Sequence, residues 1–280
     1  MNKSIPEITL NDGVTLPVIG FGTYPLKGND GVNAIQSAID VGYRLIDSAY
    51  NYENEGTVGE AVRRSSVPRS ELRVTSKLPG RYQEYNKAVA TIQESLYRAN
   101  LEYYDLYLIH WPNPSQEKYV EAWQALIDAK KWGLIRSIGV CNFLPEHLER
   151  LEKETGVKPS INQIELHPFF NQADQRKYHE ENNIATESWS PFTRGVKDLQ
   201  IDTLLTIAES HNKTIPQIVL RWHYQLGAIS IPKSASPVRQ LENISIFDFS
   251  LDETEMSMIS ELTRLDGRIK NQDPAVYEEF

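Results

Sequence analysis

One cysteine in 280 residues, Cys141, leaves no partner for an intramolecular disulfide and no set of thiolates for a zinc site. Positive charge is scarce too. Against 38 acidic residues stand 29 Lys and Arg, a net charge of -9 with no long basic cluster, which argues against a nucleic-acid partner. No uninterrupted apolar run approaches ~18 residues, so no membrane span is expected. The opening MNKSIPEITL has neither a charged leader with an apolar segment nor a small-residue cleavage signal. The expectation is a cytoplasmic protein. Missing as well is the dinucleotide fingerprint G-x-G-x-x-G: in GFGTYP, the nearest approach, Pro25 stands where the third glycine belongs. With no linker, repeat or low-complexity tract to divide it, the chain is expected to form one domain over residues 1–280.

What is present is a regular alternation. ITLNDGVTLP places two short β-prone runs around Asn-Asp-Gly and predicts a leading tight hairpin. Eight further apolar runs follow: VIGFGT, YRLIDSA, LRVTSKL, YDLYLIHW, IRSIGVCNF, INQIELHP, ATESWSP and AISIPKS. Between most of them lie segments of helical spacing. GVNAIQSAIDVG sets Val32, Ile35, Ala38 and Ile39 on one face, and YVEAWQALIDAKKWG closes on Lys130, Lys131 and Gly133. Eight buried strands alternating with helices call for a parallel sheet covered by helices, and eight is the number that closes a (β/α)8 TIM barrel, here with an N-terminal β-hairpin. An open doubly wound sheet competes, but it would want the fingerprint that is absent.

Three strands end on ionisable residues. Alternation puts Tyr43, Leu45 and Asp47 on one face of the second, Arg73, Thr75 and Lys77 on the third, and Leu106, Leu108 and His110 on the fourth. Their spacings match one strand-plus-helix unit, so the three should stand side by side at the carboxyl face, where barrel enzymes carry their sites. Each alone has an ordinary explanation: Asp47 as a helix N-cap, Lys77 as a surface lysine, His110 as a satisfied core histidine. Together they suggest chemistry. An Asp beside a Lys keeps the ammonium charged, and that charge near a tyrosine of the following segment, Tyr50 or Tyr52, would lower the phenol pKa from about 10 and make a general acid. His110 could orient a carbonyl oxygen by donating a hydrogen bond. A second constellation follows the eighth strand: Ser236 as N-cap, Pro237 at N1, Arg239 in the first turn, with Lys233 and Ser234 upstream, which together make an anion site. Asn243, one turn beyond Arg239, could reach an attached adenine.

The strings DSAYNYENE, VTSKL, IHWP, GVCNF, NQIELHP, WSPF and IPKSASPVRQLEN, in order across nearly the whole chain, resemble the aldo-keto reductase superfamily. The short carboxyl tail is most similar to its small bacterial members, among them the 2,5-diketo-D-gluconate reductases. The resemblance implies a catalytic tetrad of Asp47, Tyr52, Lys77 and His110 and assigns the acid to Tyr52 over Tyr50. It implies NADPH as cofactor, with Lys233 and Arg239 on the 2′-phosphate, an assignment that suits the arginine fork. It further implies Trp189 stacked on the nicotinamide, with Cys141, Asn142 and Gln163 on the carboxamide. The remaining cofactor contacts it suggests are Gly22, Thr23, Tyr24, Asp47, Ser190, Phe192, Arg194, Ser234 and Asn243.

Departures from the family pattern bear on substrate. Cys141 stands where serine is usual and is a weaker donor. Tyr24 and Pro79 replace two tryptophans, which predicts a wider, more polar mouth walled by Tyr24, Tyr50 and Trp111, with His110 also touching substrate. The implied activity is reduction of aldehydes and ketones, such as small aldehydes, α-dicarbonyls or keto sugars, by a monomer with no membrane or nucleic-acid partner. An alternative is a barrel that keeps NADPH as a ligand in a regulatory or structural role.

Overall fold

The computed structural model describes residues 5–280; the first four, part of the leader segment considered above, lie outside the described residues. Glu7–Thr9 (β1) and Thr15–Pro17 (β2) pair antiparallel as the leading hairpin. Its turn is longer than the Asn-Asp-Gly signal predicts. The strands are joined through Leu10–Val14, because Leu10 is drawn into the core and Gly13 takes a left-handed φ of 87°.

Each of the eight apolar runs contains a strand: Phe21–Gly22 (β3), Leu45–Asp47 (β4), Arg73–Leu78 (β5), Tyr104–Ile109 (β6), Ile135–Cys141 (β7), Ile161–Glu165 (β8), Ala185–Trp189 (β9) and Ala228–Ser230 (β10). All neighbours are parallel and follow chain order. The sheet closes on itself where Ile19 bridges Ser230, with Gly20 N donating to Ser230 O at 2.9 Å and Gly22 N to Pro232 O at 3.0 Å. The result is the expected (β/α)8 barrel.

The helices are Gly28–Val41 (α1), Glu55–Arg64 (α2), Tyr85–Ala99 (α3), Tyr119–Lys131 (α4), Pro145–Thr155 (α5), Ala173–Glu181 (α6), Asp202–His211 (α7), Ile215–Gln225 (α8), Pro237–Ile244 (α9) and Glu253–Ser260 (α10). The apolar face expected of α1 is buried at Val32, Ile35, Ala38 and Ile39, and α4 stops just before Gly133, whose φ is 80°.

Period-two alternation separates two apolar layers. Leu45, Leu106, Leu108, Cys141, Ile161 and Ile229 fill the barrel interior, while Ile46, Val74, Tyr107, Ile109 and Val140 face the helices. Leu10 and Leu16 of the hairpin join the interior group, and Asn11 bonds the carbonyls of Pro159 and Asn183 just before β8 and β9. The hairpin thus plugs the amino end and leaves the carboxyl end for the site. Tyr43 departs from its expected interior position. It precedes β4, packs edge-on against Phe21 in the helix-facing layer and bonds Gln240 O, so the alternation begins only at Leu45.

Candidate active site

Asp47, Lys77 and His110 come together at the carboxyl ends of β4, β5 and β6. Lys77 is completely buried; its Nζ donates to both carboxylate oxygens of Asp47 at 2.7 Å and to Ser48 O at 2.8 Å. Burial alone would favour the neutral amine, but Asp47 and then Tyr52 outweigh it, and the lysine stays charged. The ammonium lies 5.0 Å from the centroid of the Tyr52 ring, and its charge pulls the phenol pKa down. His110 stands edge-on to Tyr52 at 5.8 Å between centroids, and Tyr24 lies 5.1 Å away on another side.

The electrostatics of Tyr52 correct one expectation. Its pKa is raised from 10, not lowered: burial dominates, Lys77 pulls down, and Asp47 pushes up again. Asp47 offsets part of the Lys77 field at the phenol, and burial exceeds what remains. Tyr52 therefore keeps its proton through the neutral range, which is the form a general acid requires.

A one-turn helix, Tyr50–Tyr52, carries the acid, and Asn54 locks the loop around it. The buried Asn54 amide donates to Thr23 O at 3.0 Å and Leu26 O at 3.1 Å and accepts from Ser48 Oγ at 2.7 Å. The two glutamates of this stretch diverge. Glu53 is exposed and pairs with Lys27 at 2.7 Å, whereas Glu55 is buried against Ser76 and Tyr104.

Tyr50 does not join Tyr24 and Trp111 in a common wall, as the sequence suggested. Its ring packs 3.9 Å from the Arg98 guanidinium and 5.8 Å from Tyr82, and its hydroxyl accepts from Arg98 at 2.7 Å. It lines a separate cavity of about 590 Å³ with Arg81, Arg98 and Glu55. One turn of tight helix puts residues two apart on different sides, which directs Tyr52 inward and Tyr50 outward. Trp111 is buried with its ring 4.4 Å from Tyr277, and Tyr24 is 62% exposed at the rim; Pro79 is buried.

The groups expected beside a nicotinamide sit at the end of β7 and just past it, on β8, and at the end of β9. Gln163 Nε2 donates to Asp47 Oδ2 at 3.0 Å and to Glu187 Oε2 at 2.7 Å, and Cys141 Sγ lies 4.0 Å from Gln163 Oε1. Burial holds the Cys141 thiol well above its ordinary pKa. Asn142, at φ 61°, donates to His110 O at 3.1 Å and accepts from Trp189 Nε1 at 2.8 Å. Ser190 and Thr193 also adopt left-handed φ, in the loop that carries Phe192 and the exposed Arg194.

At the other end, Ser236 caps α9 by accepting from Arg239 N at 3.5 Å, with Pro237 at N1 as expected. Lys233 and Arg239 are exposed, and among the described residues neither forms an ion pair. Ser234 is buried and accepts from Ser236 N. Gly22 lies directly alongside: a Cβ there would come within 3.2 Å of Ile231 O and 3.6 Å of Lys233 Cβ. Asn243 departs from the expectation of a shared face with Arg239. It is buried and faces Tyr43, since the inner face of α9 docks on α1.

Sequence reasoning missed two buried carboxylates, Glu187 and Glu279. Glu187 shares strand parity with Trp189 and could have been found by alternation. Glu279 comes from the far end of the chain, and no local pattern announces it.

A buried, countercharged lysine beside a protonated tyrosine and a histidine, at the mouth of an eight-stranded barrel with unpaired cations at a helix start, defines a barrel enzyme of the oxidoreductase class. Residues 18–264 match the Aldo/keto reductase family. The chain belongs to that family. It is 51% identical over 277 residues to 2,5-diketo-D-gluconic acid reductase B of a Corynebacterium species, covering 99% of both chains. It is 44% identical over 274 residues to methylglyoxal reductase DkgA of Yersinia pestis, covering 97% of both. A crystal structure of a Gox0644 mutant in complex with NADPH superposes with a TM-score of 0.93 at 41% identity, covering 99% of this chain and 100% of that one. The Bombyx mori aldo-keto reductase in complex with NADP gives a TM-score of 0.90 at 34% identity, with 99% of each chain covered.

Proposed function

We propose that this chain, acting as one barrel domain over residues 1–280, is an NADPH-dependent reductase of aldehydes and ketones with Tyr52 as its general acid. The observation that carries the reading is the buried Lys77 ammonium, bound to both oxygens of Asp47 and 5.0 Å from the Tyr52 ring centroid at the barrel mouth. The residues present fit the dinucleotide: exposed Lys233 and Arg239 are free for a 2′-phosphate, and Gly22 leaves the space beside Lys233 that a Cβ would fill. Ser234, Arg194 and Phe192 are proposed as further contacts of the dinucleotide, and Gln163, Asn142 and Cys141 as the amide and thiol groups offered to a carboxamide beside Trp189. When bound, the cofactor supplies hydride to the carbonyl carbon.

The chain's own residues do the rest. His110 polarises the carbonyl oxygen, and Tyr52 gives that oxygen its proton as negative charge develops there. Lys77 then stands beside the phenolate left behind, and Asp47 keeps Lys77 charged. Small α-dicarbonyls and keto sugars, the substrates in the relatives' names, are the proposed carbonyl compounds, with Tyr24 and Trp111 near them.

A cytoplasmic monomer is the accompanying proposal. A reducing compartment suits the single buried thiol, and among the described residues no helix is long and apolar enough to cross a membrane. The test is loss of NADPH absorbance on mixing with small aldehydes, α-dicarbonyls and keto sugars. Turnover of at least one is expected, whereas binding of NADPH without oxidation by any of them would favour a regulatory or structural barrel.

A further inference from the structure

Gln163 is held by two carboxyl groups. Its buried side chain donates from Nε2 to Asp47 Oδ2 at 3.0 Å and to Glu187 Oε2 at 2.7 Å. Asp47 decides which amide atom stands there. Both of its oxygens already accept from the Lys77 ammonium at 2.7 Å, and an amide oxygen in place of Nε2 would set acceptor against acceptor. Glu187, completely buried on β9 and opposite Gln163 in the strand register, takes the second N–H. Its Oε2 can accept in either protonation state, since a carboxylic acid keeps one oxygen free of the proton. The chemistry above gives this glutamate no part.

With both N–H groups taken, the Gln163 amide has Oε1 left to offer a ligand. That oxygen faces one weak donor, the Cys141 thiol, with Sγ at 4.0 Å, and keeps room for a stronger one. Asn142 is arranged the other way. Its Oδ1 accepts from Trp189 Nε1 at 2.8 Å and its Nδ2 donates to His110 O at 3.1 Å, which leaves it one N–H. One acceptor and one donor at neighbouring strand ends complement a primary carboxamide, whose NH2 donates and whose oxygen accepts. A ring that carries an acetyl group instead has no hydrogen for Gln163.

We propose that Glu187 is a positioning residue: with Asp47 it takes both hydrogens of the Gln163 amide and so presents Oε1 to the cofactor, where it selects a carboxamide by accepting from the NH2. The inference rests on the NADPH reading above and deepens it. Without Glu187 one N–H of a buried amide loses its acceptor, and the side chain relieves that loss by pivoting about the Asp47 contact to bring the N–H toward the ligand. Selection for a ligand that donates is lost with it.

Two measurements on the full chain test this. Nitrogen-15 NMR of the cofactor-free protein, with the Gln163 side-chain signals assigned by their loss in Gln163→Met, should show both amide hydrogens shifted downfield and slow to exchange. A hydrogen that exchanges like that of a free amide overturns the pairing. Fluorescence titrations then compare NADPH with its reduced 3-acetylpyridine analogue, which keeps the carbonyl and lacks the NH2. Wild type should bind NADPH about tenfold more tightly, as one hydrogen bond allows. Glu187→Leu should bring the two ligands close to parity. Glu187→Gln, which can still accept through its amide oxygen, should restore the wild-type ratio.

A ratio that stays at its wild-type value in a folded Glu187→Leu variant, even with both ligands weakened, gives Glu187 a structural part alone and overturns the proposal. Parity in wild type does the same. The wild-type NMR pattern and ratio decide the matter even if Glu187→Leu does not fold. Failure of both dinucleotides to bind wild type would overturn the NADPH reading and this proposal with it, and the NMR pattern, recorded without cofactor, separates that failure from loss of the Gln163–Glu187 pairing.

Discussion

Asp47 and Glu187 share one donor: the Gln163 side-chain amide, bound to Asp47 Oδ2 at 3.0 Å and to Glu187 Oε2 at 2.7 Å. Asp47 has Lys77 as its cation. Glu187, completely buried, forms no ion pair among the described residues. Burial first, and the charge of Asp47 second, raise its pKa from 4.5 to about 8, against the opposing pull of Gln163. At neutral pH the buried Glu187 carboxyl is therefore largely protonated.

This has a stability signature of definite sign. Between ~4.3, the value for glutamate in an unfolded chain, and about 8, the native state holds a proton that the unfolded state has released. Stability conferred by protonated Glu187 is full below this window and is lost as pH rises through it. Glu187→Gln should remove that dependence. Urea midpoints measured across the window should decline more for wild type than for the variant, and parallel declines would mean that Glu187 is ionised throughout.

Replacing Tyr52 by Phe should cut carbonyl reduction by at least about a hundredfold, the lower end for a lost general acid, while NADPH fluorescence titrations still report binding. Tyr50→Phe should be mild, because Tyr50 packs on Arg98 away from the Lys77 cluster. A reversed order of the two losses would put the acid at Tyr50.

Arg239→Ala should weaken NADPH binding by about ten- to a hundredfold, on the order of a lost charged hydrogen bond, and leave NADH binding nearly unchanged. Lys233→Met should act in the same direction. Equal losses for the two cofactors would move both residues out of the phosphate site.

For Asp47→Asn the shape is kept and the largest opposing charge goes, so burial shifts Lys77 toward its neutral form. Reduction at neutral pH should fall by a factor on the order of ten or more, and the pH profile should change, since the apparent pKa belongs to the coupled Tyr–Lys–Asp group. Circular dichroism should show the fold intact. A folded variant with unchanged rate and profile would reduce Asp47 to a structural residue.

The barrel and the outline of its site were legible in the sequence because both depend on local periodicity. Alternation along a strand decides which side chains point inward, and a strand-plus-helix repeat of about 30 residues decides which strand ends become neighbours. Asp47, Lys77 and His110 could thus be brought together without coordinates, and the Ser236-Pro237 helix start could be placed beyond the eighth strand. Even Glu187 was available to the same reasoning.

The tertiary structure decided what periodicity does not carry: depth, direction around a single turn, and contacts between distant segments. Burial, a property of the assembled barrel, reverses the shift expected at Tyr52, because desolvation there exceeds the field of a lysine already paired with Asp47. One turn of tight helix sends Tyr50 to Arg98 and Tyr52 to Lys77. Glu279 comes to His110 because the folded barrel returns the chain end to its mouth, and a contact made by chain closure over such a separation leaves no trace in the local pattern at either end.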